Sequence, residues 1–164
     1  MPHRLRKQPD PDSGLLVELA SIYAQADAAY GSYRCPGATE CCRFAITGRE
    51  PYVTSLEVQA VRRALAVQGL GGRAARGRDG PLPPRKRALP LQTSESSCPL
   101  LARGGRCAIY PWRPLGCRTF WCERASCEAP VRQPALNALV RRVQELSSRQ
   151  QPGGDRGRPL RPAL

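Results

Sequence analysis

The sequence has few of the residues from which most protein cores are built. Leu, Ile, Val and Phe together make up less than a fifth of the 164 residues, and the formal net charge is +13. A chain with less than about 20% of these apolar residues and a high net charge tends toward disorder. We therefore expect something besides apolar burial to stabilise the fold.

Histidine and lysine are almost absent. The single histidine, His3, lies in a polar N-terminal stretch, which argues against Ser-His-Asp or Cys-His catalysis. Neither Lys7 nor Lys86 stands in a G-x-x-x-x-G-K motif, and no G-x-G-x-x-G occurs, so the usual phosphate-binding loops are missing. The sequence leaves open whether the protein is an enzyme.

Long apolar runs are also absent. No run approaches the roughly 18 residues that a membrane-spanning helix needs. The basic N-terminus is not followed by the apolar stretch of a secretory signal. We accordingly expect no membrane partner and a cytoplasmic location, where thiols stay reduced.

Arginine, in contrast, is abundant. The chain has 26 Lys+Arg against 13 Asp+Glu, and all but two of these basic residues are Arg. Such a charge can attract nucleic acid, but it also arises from a coding bias toward Arg. An Arg-rich adaptor that associates with nucleic acid is therefore an alternative to the leading interpretation.

Apolar spacing predicts a small, irregular, mainly α-helical single domain with short extended pieces. Helices are expected over 13–30, 54–69 and 134–149, where apolar residues recur at helical intervals. Thr54 and Glu57 match the capping box that begins such helices. The apolar run at 44–46 is expected to be extended.

Three segments lack periodicity. Residues 1–12 are expected to form a disordered basic arm, and residues 151–164 a disordered tail. Between them, 13–150 is expected to be one cysteine-cluster domain, and the Gly-, Pro- and Arg-rich stretch 71–95 a flexible loop within it.

Eight cysteines form two groups, which read C-x5-C-C and C-x8-C-x9-C-x4-C-x4-C. Zinc takes four ligands, commonly from two separated pieces of chain, and iron–sulfur clusters also take Cys thiolates. With no His nearby, a sulfur-rich ligand set favours zinc or iron over magnesium, calcium or manganese. The candidate metal ligands are Cys35, Cys41, Cys42, Cys98, Cys107, Cys117, Cys122 and Cys127.

The cysteines are also compatible with a disulfide scaffold or with a set of inert thiols. A disulfide scaffold fits poorly with the missing secretory signal, and the adjacent Cys41 and Cys42 would each have to pair elsewhere. Buried thiols can also be inert small hydrophobic groups. Clustering favours a metal-stabilised domain over both.

The second cysteine group has a specific pattern. Residues 107–122 read CAIYPWRPLGCRTFWC and residues 98–101 read CPLL. These resemble the blocks C-x-I-Y-x-x-R-P-x-x-C-R-x-F-x-C and C-P-[FL]-L of the YkgJ-like cysteine-cluster family. The resemblance covers about residues 32–125. It implies a CxxCxxCC domain that chelates zinc or iron, in a process that the family leaves unassigned.

The first cysteine group departs from that pattern. Ala38 stands where the family has its second Cys, so seven cysteines match and Cys127 is extra. We hypothesise that Cys127 replaces the missing ligand; the departure could instead leave one open metal position. Flagellin lysine N-methylase carries a similar cluster. The resemblance therefore also implies a second alternative, an iron–sulfur enzyme of redox or protein-methylation chemistry.

Side chains around the cysteines also carry expectations. The two cysteine groups should meet in space, with Tyr110 and Phe120 filling the core beside them. Arg113 and Arg118 should brace the loops by hydrogen bonds to backbone carbonyls or sulfurs, and cations near thiols lower their pKa. Metal binding would then supply folding energy, and chelation should unfold the domain. No protein partner is predicted.

Overall fold

A computed structural model describes residues 12–30, 40–70, 97–102, 104–119 and 133–164. The predicted loop at 71–95 and the predicted arm up to residue 11 lie outside the described residues. So do three of the eight candidate ligands, Cys35, Cys122 and Cys127, together with Ala38 and Phe120.

The described residues are mainly helical, with few strands. None of their helices is long and apolar enough to cross a membrane. In chain order the elements are α1 (Ser13–Ala29), a 3-10 turn (Glu40–Cys42), α2 (Phe44–Thr47), β1 (Tyr52–Val53), α3 (Ser55–Val67), a second 3-10 turn (Tyr110–Trp112), α4 (Leu115–Thr119), α5 (Gln133–Ser148), β2 (Arg158–Pro159) and α6 (Leu160–Ala163).

The three long helices agree with the predicted ones. In α1 the buried residues Leu19, Ile22, Tyr23 and Ala26 follow helical spacing and form one face. This face packs against α5 and with Leu56 of α3 in an apolar cluster that we call the helical core. Apolar periodicity therefore located these elements correctly.

Helix α3 begins at the predicted capping box. The Glu57 N–H donates to the Thr54 hydroxyl at 3.4 Å, and the Thr54 N–H donates to the Glu57 carboxylate at 2.9 Å. Beyond the box, Val61 and Leu65 enter a second apolar cluster. We call this cluster the cysteine core, because Cys98 is buried in it and Cys42, Cys107 and Cys117 pack against it. Helix α3 therefore contributes to both cores.

The structure differs from the prediction at the C-terminus. Residues 151–164 were expected to be disordered, but β2 pairs antiparallel with β1, with Tyr52 opposite Pro159. Leu160 is fully buried in the cysteine core, and its N–H donates to the Pro51 carbonyl at 3.0 Å. Leu160 and Ala163 are too few to register as a periodic pattern, although both are buried.

A second difference concerns residues 44–46. They were expected to be extended, but they lie in the short helix α2. Gly48 ends this helix in the left-handed region at φ 61°, and its N–H donates to the Phe44 carbonyl at 2.9 Å. A run of three apolar residues does not distinguish a strand from one helical turn.

Candidate functional site

The described cysteines come together from both cysteine groups. Cys41 and Cys42 lie in the first 3-10 turn, and Cys117 lies in α4. The Cys98 N–H donates to the Cys42 carbonyl at 2.7 Å, so the two groups are in direct contact. Leu101 and Cys107 form an isolated antiparallel bridge that brings Cys107 back along this segment.

Cys42 is at the centre of the thiol contacts. Its thiol is within hydrogen-bonding reach of the thiols of Cys41 and Cys98. The hydrogen bond with Cys42, followed by burial, raises the pKa of Cys41. For Cys42 the hydrogen bond with Cys41 lowers the pKa, but the hydrogen bond with Cys98 and burial outweigh it and raise the pKa to about 12.

Cys107 and Cys117 share the same electrostatic environment. Burial raises the pKa of both thiols, and for Cys107 the charge of Arg113 acts in the opposite direction. The thiols of Cys41, Cys42 and Cys107 further raise the pKa of Cys117. These thiols therefore disfavour one another's ionised form, as closely spaced like charges do.

The described thiols do not by themselves complete a metal site. Across 12–30, 40–70, 97–102, 104–119 and 133–164, no group of three His, Cys, Asp or Glu side chains is arranged so that it could hold a metal ion. The donor chemistry nevertheless suits a soft metal, since sulfur ligands select zinc or iron. The structure brings together sulfur donors rather than a finished coordination sphere.

Arg118 acts as the predicted brace. Its Nε donates to the Arg113 carbonyl at 2.9 Å, and its Nη2 donates to the Pro111 carbonyl at 2.6 Å. Its Nη1 pairs with Asp27, and the guanidinium lies 4.4 Å from the centre of the Tyr23 ring. Only 5% of the side chain is exposed. Arg118 therefore fixes the turn before α4 to helix α1.

Arg113 makes weaker contacts. Its guanidinium stacks 4.1 Å from the centre of the Tyr110 ring, and its Nη2 lies 3.9 Å from an oxygen of Asp27. The buried Nε has no hydrogen-bond partner in the described part of the chain. The prediction that Arg113 bonds a backbone carbonyl or a sulfur is therefore not met.

The expected core role of Tyr110 is wrong. The residue is 44% exposed, whereas its neighbour Ile109 is fully buried in the cysteine core. The 3-10 turn that starts at Tyr110 directs Tyr110 and Trp112 outward. Tyr110 instead provides the ring on which Arg113 stacks.

Glu57 has a larger role than the sequence indicates. Besides capping α3, its carboxylate accepts hydrogen bonds from the Leu115 N–H at 2.8 Å and from the Tyr23 hydroxyl at 3.1 Å. Burial raises the pKa of Glu57, against the hydrogen bonds from Thr54, Leu115 and Tyr23, which lower it. One carboxylate thus joins α1, α3 and α4. The capping box is the only local signal of this residue, because its other partners are distant in sequence.

No family model, curated protein or solved structure matches this chain. The chemistry of the site therefore has to be argued from its own residues.

Proposed function

We propose that the protein binds zinc or iron, the latter as an ion or an iron–sulfur cluster, through thiolates of its two cysteine groups. The observation that carries this proposal is the contact between the Cys41–Cys42 turn and Cys98. Thiols from distant parts of the chain meet there, as the ligands of a zinc or iron–sulfur site do. The resemblance to the YkgJ-like family supports the same proposal.

The electrostatics of the thiols are consistent with a cation as partner. Burial and neighbouring thiols raise the pKa of Cys42 and Cys117, so their protons are retained in the absence of a cation. A bound metal ion deprotonates its thiol ligands outright. Binding should therefore release protons and tighten as the pH rises. When bound, a zinc ion would provide a structural link, whereas an iron–sulfur cluster would provide electron transfer.

The candidate ligands are the described thiols together with Cys35, Cys122 and Cys127. The described cysteines are free thiols, which favours reduced ligands over a disulfide scaffold. Inert thiols would not require cysteines from both groups to meet. The proposal leaves the number of ions and the grouping of thiols to measurement.

The test is the content of zinc, iron and acid-labile sulfide per chain, with the visible spectrum, on untagged protein purified without oxygen. Zinc without sulfide would support a thiolate site with a structural role. Iron with matching sulfide and absorbance near about 400 nm would support a cluster and the redox alternative. Neither metal, with the thiols oxidised to disulfides, would overturn the proposal.

Cysteine variants show whether the metal depends on this cluster. Cys42→Ser and Cys98→Ser should each lower the metal content, while Ser148→Ala on α5 should not. The Ser148 hydroxyl donates to the Gln144 carbonyl within the same helix, which makes it a suitable control. Cys127→Ser should also lose metal if Cys127 replaces the family Cys missing at position 38. Far-UV circular dichroism checks that each variant is folded.

A further inference from the structure

Two arginines beside the thiol cluster use their donors differently. Arg118 directs its guanidinium to two backbone carbonyls and to Asp27, and is thereby committed to the fold. Arg113 is also largely buried, with 13% of its side chain exposed, yet its Nε–H has no acceptor among the described residues. A buried donor without an acceptor is unfavourable, and such groups are rare in folded proteins.

The other contacts of Arg113 do not supply this acceptor. The Tyr110 ring lies against the guanidinium and fixes its plane. Asp27 is half-exposed, lies 3.9 Å away and already pairs with Arg118. The charge of Arg113 therefore remains only partly balanced by the carboxylate.

The position of Arg113 in the chain directs its charge to the cysteines. It follows the 3-10 turn that leads from Cys107, and the Pro114 carbonyl after it accepts the Cys117 N–H at 3.0 Å. Its carbonyl is held by Arg118, so the backbone here is fixed. Arg113 also acts electrostatically on the thiols of Cys41 and Cys107, favouring their ionised form.

We propose that Arg113 is the positioning residue of the thiol cluster, whose positive charge and unpaired Nε–H offset the negative charge of thiolates when they bind a metal ion. This inference rests on the proposed function. A zinc ion with four thiolate ligands is doubly negative, and a fixed cation beside it stabilises that charge. A planar guanidinium held on an aromatic ring suits this role, because it is always charged and less of its freedom is lost on bonding.

The first experiment measures zinc affinity by competition with a chromophoric chelator. Arg113→Gln removes the charge, and we expect it to weaken zinc binding about 10- to 100-fold, as removal of outer-shell partners does. Arg113→Lys keeps the charge and should restore most of the affinity. The matched control is Arg62→Gln, which removes one charge from an exposed position on α3 and should leave the affinity unchanged.

The second experiment needs no metal. The alkylation rates of the thiols of metal-free protein are compared for iodoacetate, which is anionic, and iodoacetamide, which is neutral. A nearby cation raises the ratio of the two rates. Arg113→Gln should therefore lower this ratio at a fixed pH, while Arg113→Lys and Arg62→Gln should preserve it. Circular dichroism shows whether the variants keep their helices.

The two readouts separate the inference from the function on which it rests. If wild-type protein binds no zinc or iron, the proposed function fails; a lowered alkylation ratio in Arg113→Gln would still support the assignment of charge. If zinc binds but Arg113→Gln retains both wild-type affinity and ratio, the inference is overturned. Equal loss of affinity in the Gln and Lys variants, with an unchanged ratio, would also overturn it in favour of a packing role.

Discussion

Leu160 is the residue on which docking of the C-terminal segment most depends. Its side chain is fully buried in the cysteine core, where Leu65 and Ile109 also lie. Replacement by Ala removes apolar contacts and leaves a cavity that the surrounding residues fill only partly. Leu→Ala substitutions at such positions cost about 2–5 kcal/mol in free energy of unfolding. This is a large share of the roughly 5–15 kcal/mol that stabilises a typical protein.

Urea denaturation followed by far-UV circular dichroism measures this change. The matched control is Val67→Ala at the end of α3, because Val67 is 81% exposed and should lose less than about 0.5 kcal/mol. An unchanged dependence on urea would show that the variant unfolds the same surface as wild type. A Leu160→Ala variant within about 0.5 kcal/mol of the control would refute the reasoning. It would mean that residues 151–164 do not pack against the cysteine core.

Three further predictions concern other contacts. Glu57→Ala leaves the buried N–H groups of Thr54 and Leu115 without an acceptor, so urea titration should show a loss of at least about 2 kcal/mol. A loss below about 0.5 kcal/mol would contradict this role. Burial raises the pKa of Asp155, but hydrogen bonds, that from the Ser55 N–H being the largest, outweigh it and lower the pKa overall. The stabilisation by Asp155 is thus present above its unfolded pKa of about 3.9 and is lost as the pH falls through the lower folded pKa. Asp155→Asn should weaken this acid dependence of the urea midpoint, and an unchanged pH profile would count against the contact. If metal is bound, chelation should expose the cysteine core to iodoacetamide while circular dichroism retains most of the helical signal, because no described residue of the helical core is a cysteine; loss of both signals together would contradict this division.

Local signals in the sequence were sufficient for the long helices. Helix α1 shows buried residues at helical intervals, and α3 begins at the Thr54–Glu57 capping box. Both patterns depend on residues within one or two turns of each other. The C-terminal segment was mispredicted because its stability comes from contacts with residues distant in sequence, such as the bond from Leu160 to Pro51.

The site shows the same limit. The cysteine positions identify the candidate ligands, but the contact of Cys42 with Cys98 depends on how the intervening chain returns. Arg113 and Arg118 also belong to one short motif, and the sequence predicted the same bracing role for both. They differ because Arg118 reaches two carbonyls and Asp27, whereas Arg113 stacks on Tyr110. Such differences arise from three-dimensional neighbours and not from spacing.

The expectation that a metal alone would hold this domain together gives way to a more specific one. Helix α4 carries Cys117, and the residues on both sides of it are anchored without metal. Leu115 packs in the helical core, and its N–H donates to Glu57.

On the other side of Cys117, Arg118 pairs with Asp27 of α1. Gly116 lies so close to β1 that an added Cβ would be 3.0 Å from the Pro51 Cβ. Apolar packing and a buried carboxylate therefore fix the position of at least one candidate ligand in advance. A metal ion would bind more tightly for this reason, because less conformational entropy is lost when a ligand is already in place. The helical core, although none of its described residues is a cysteine, thus contributes to the proposed metal affinity.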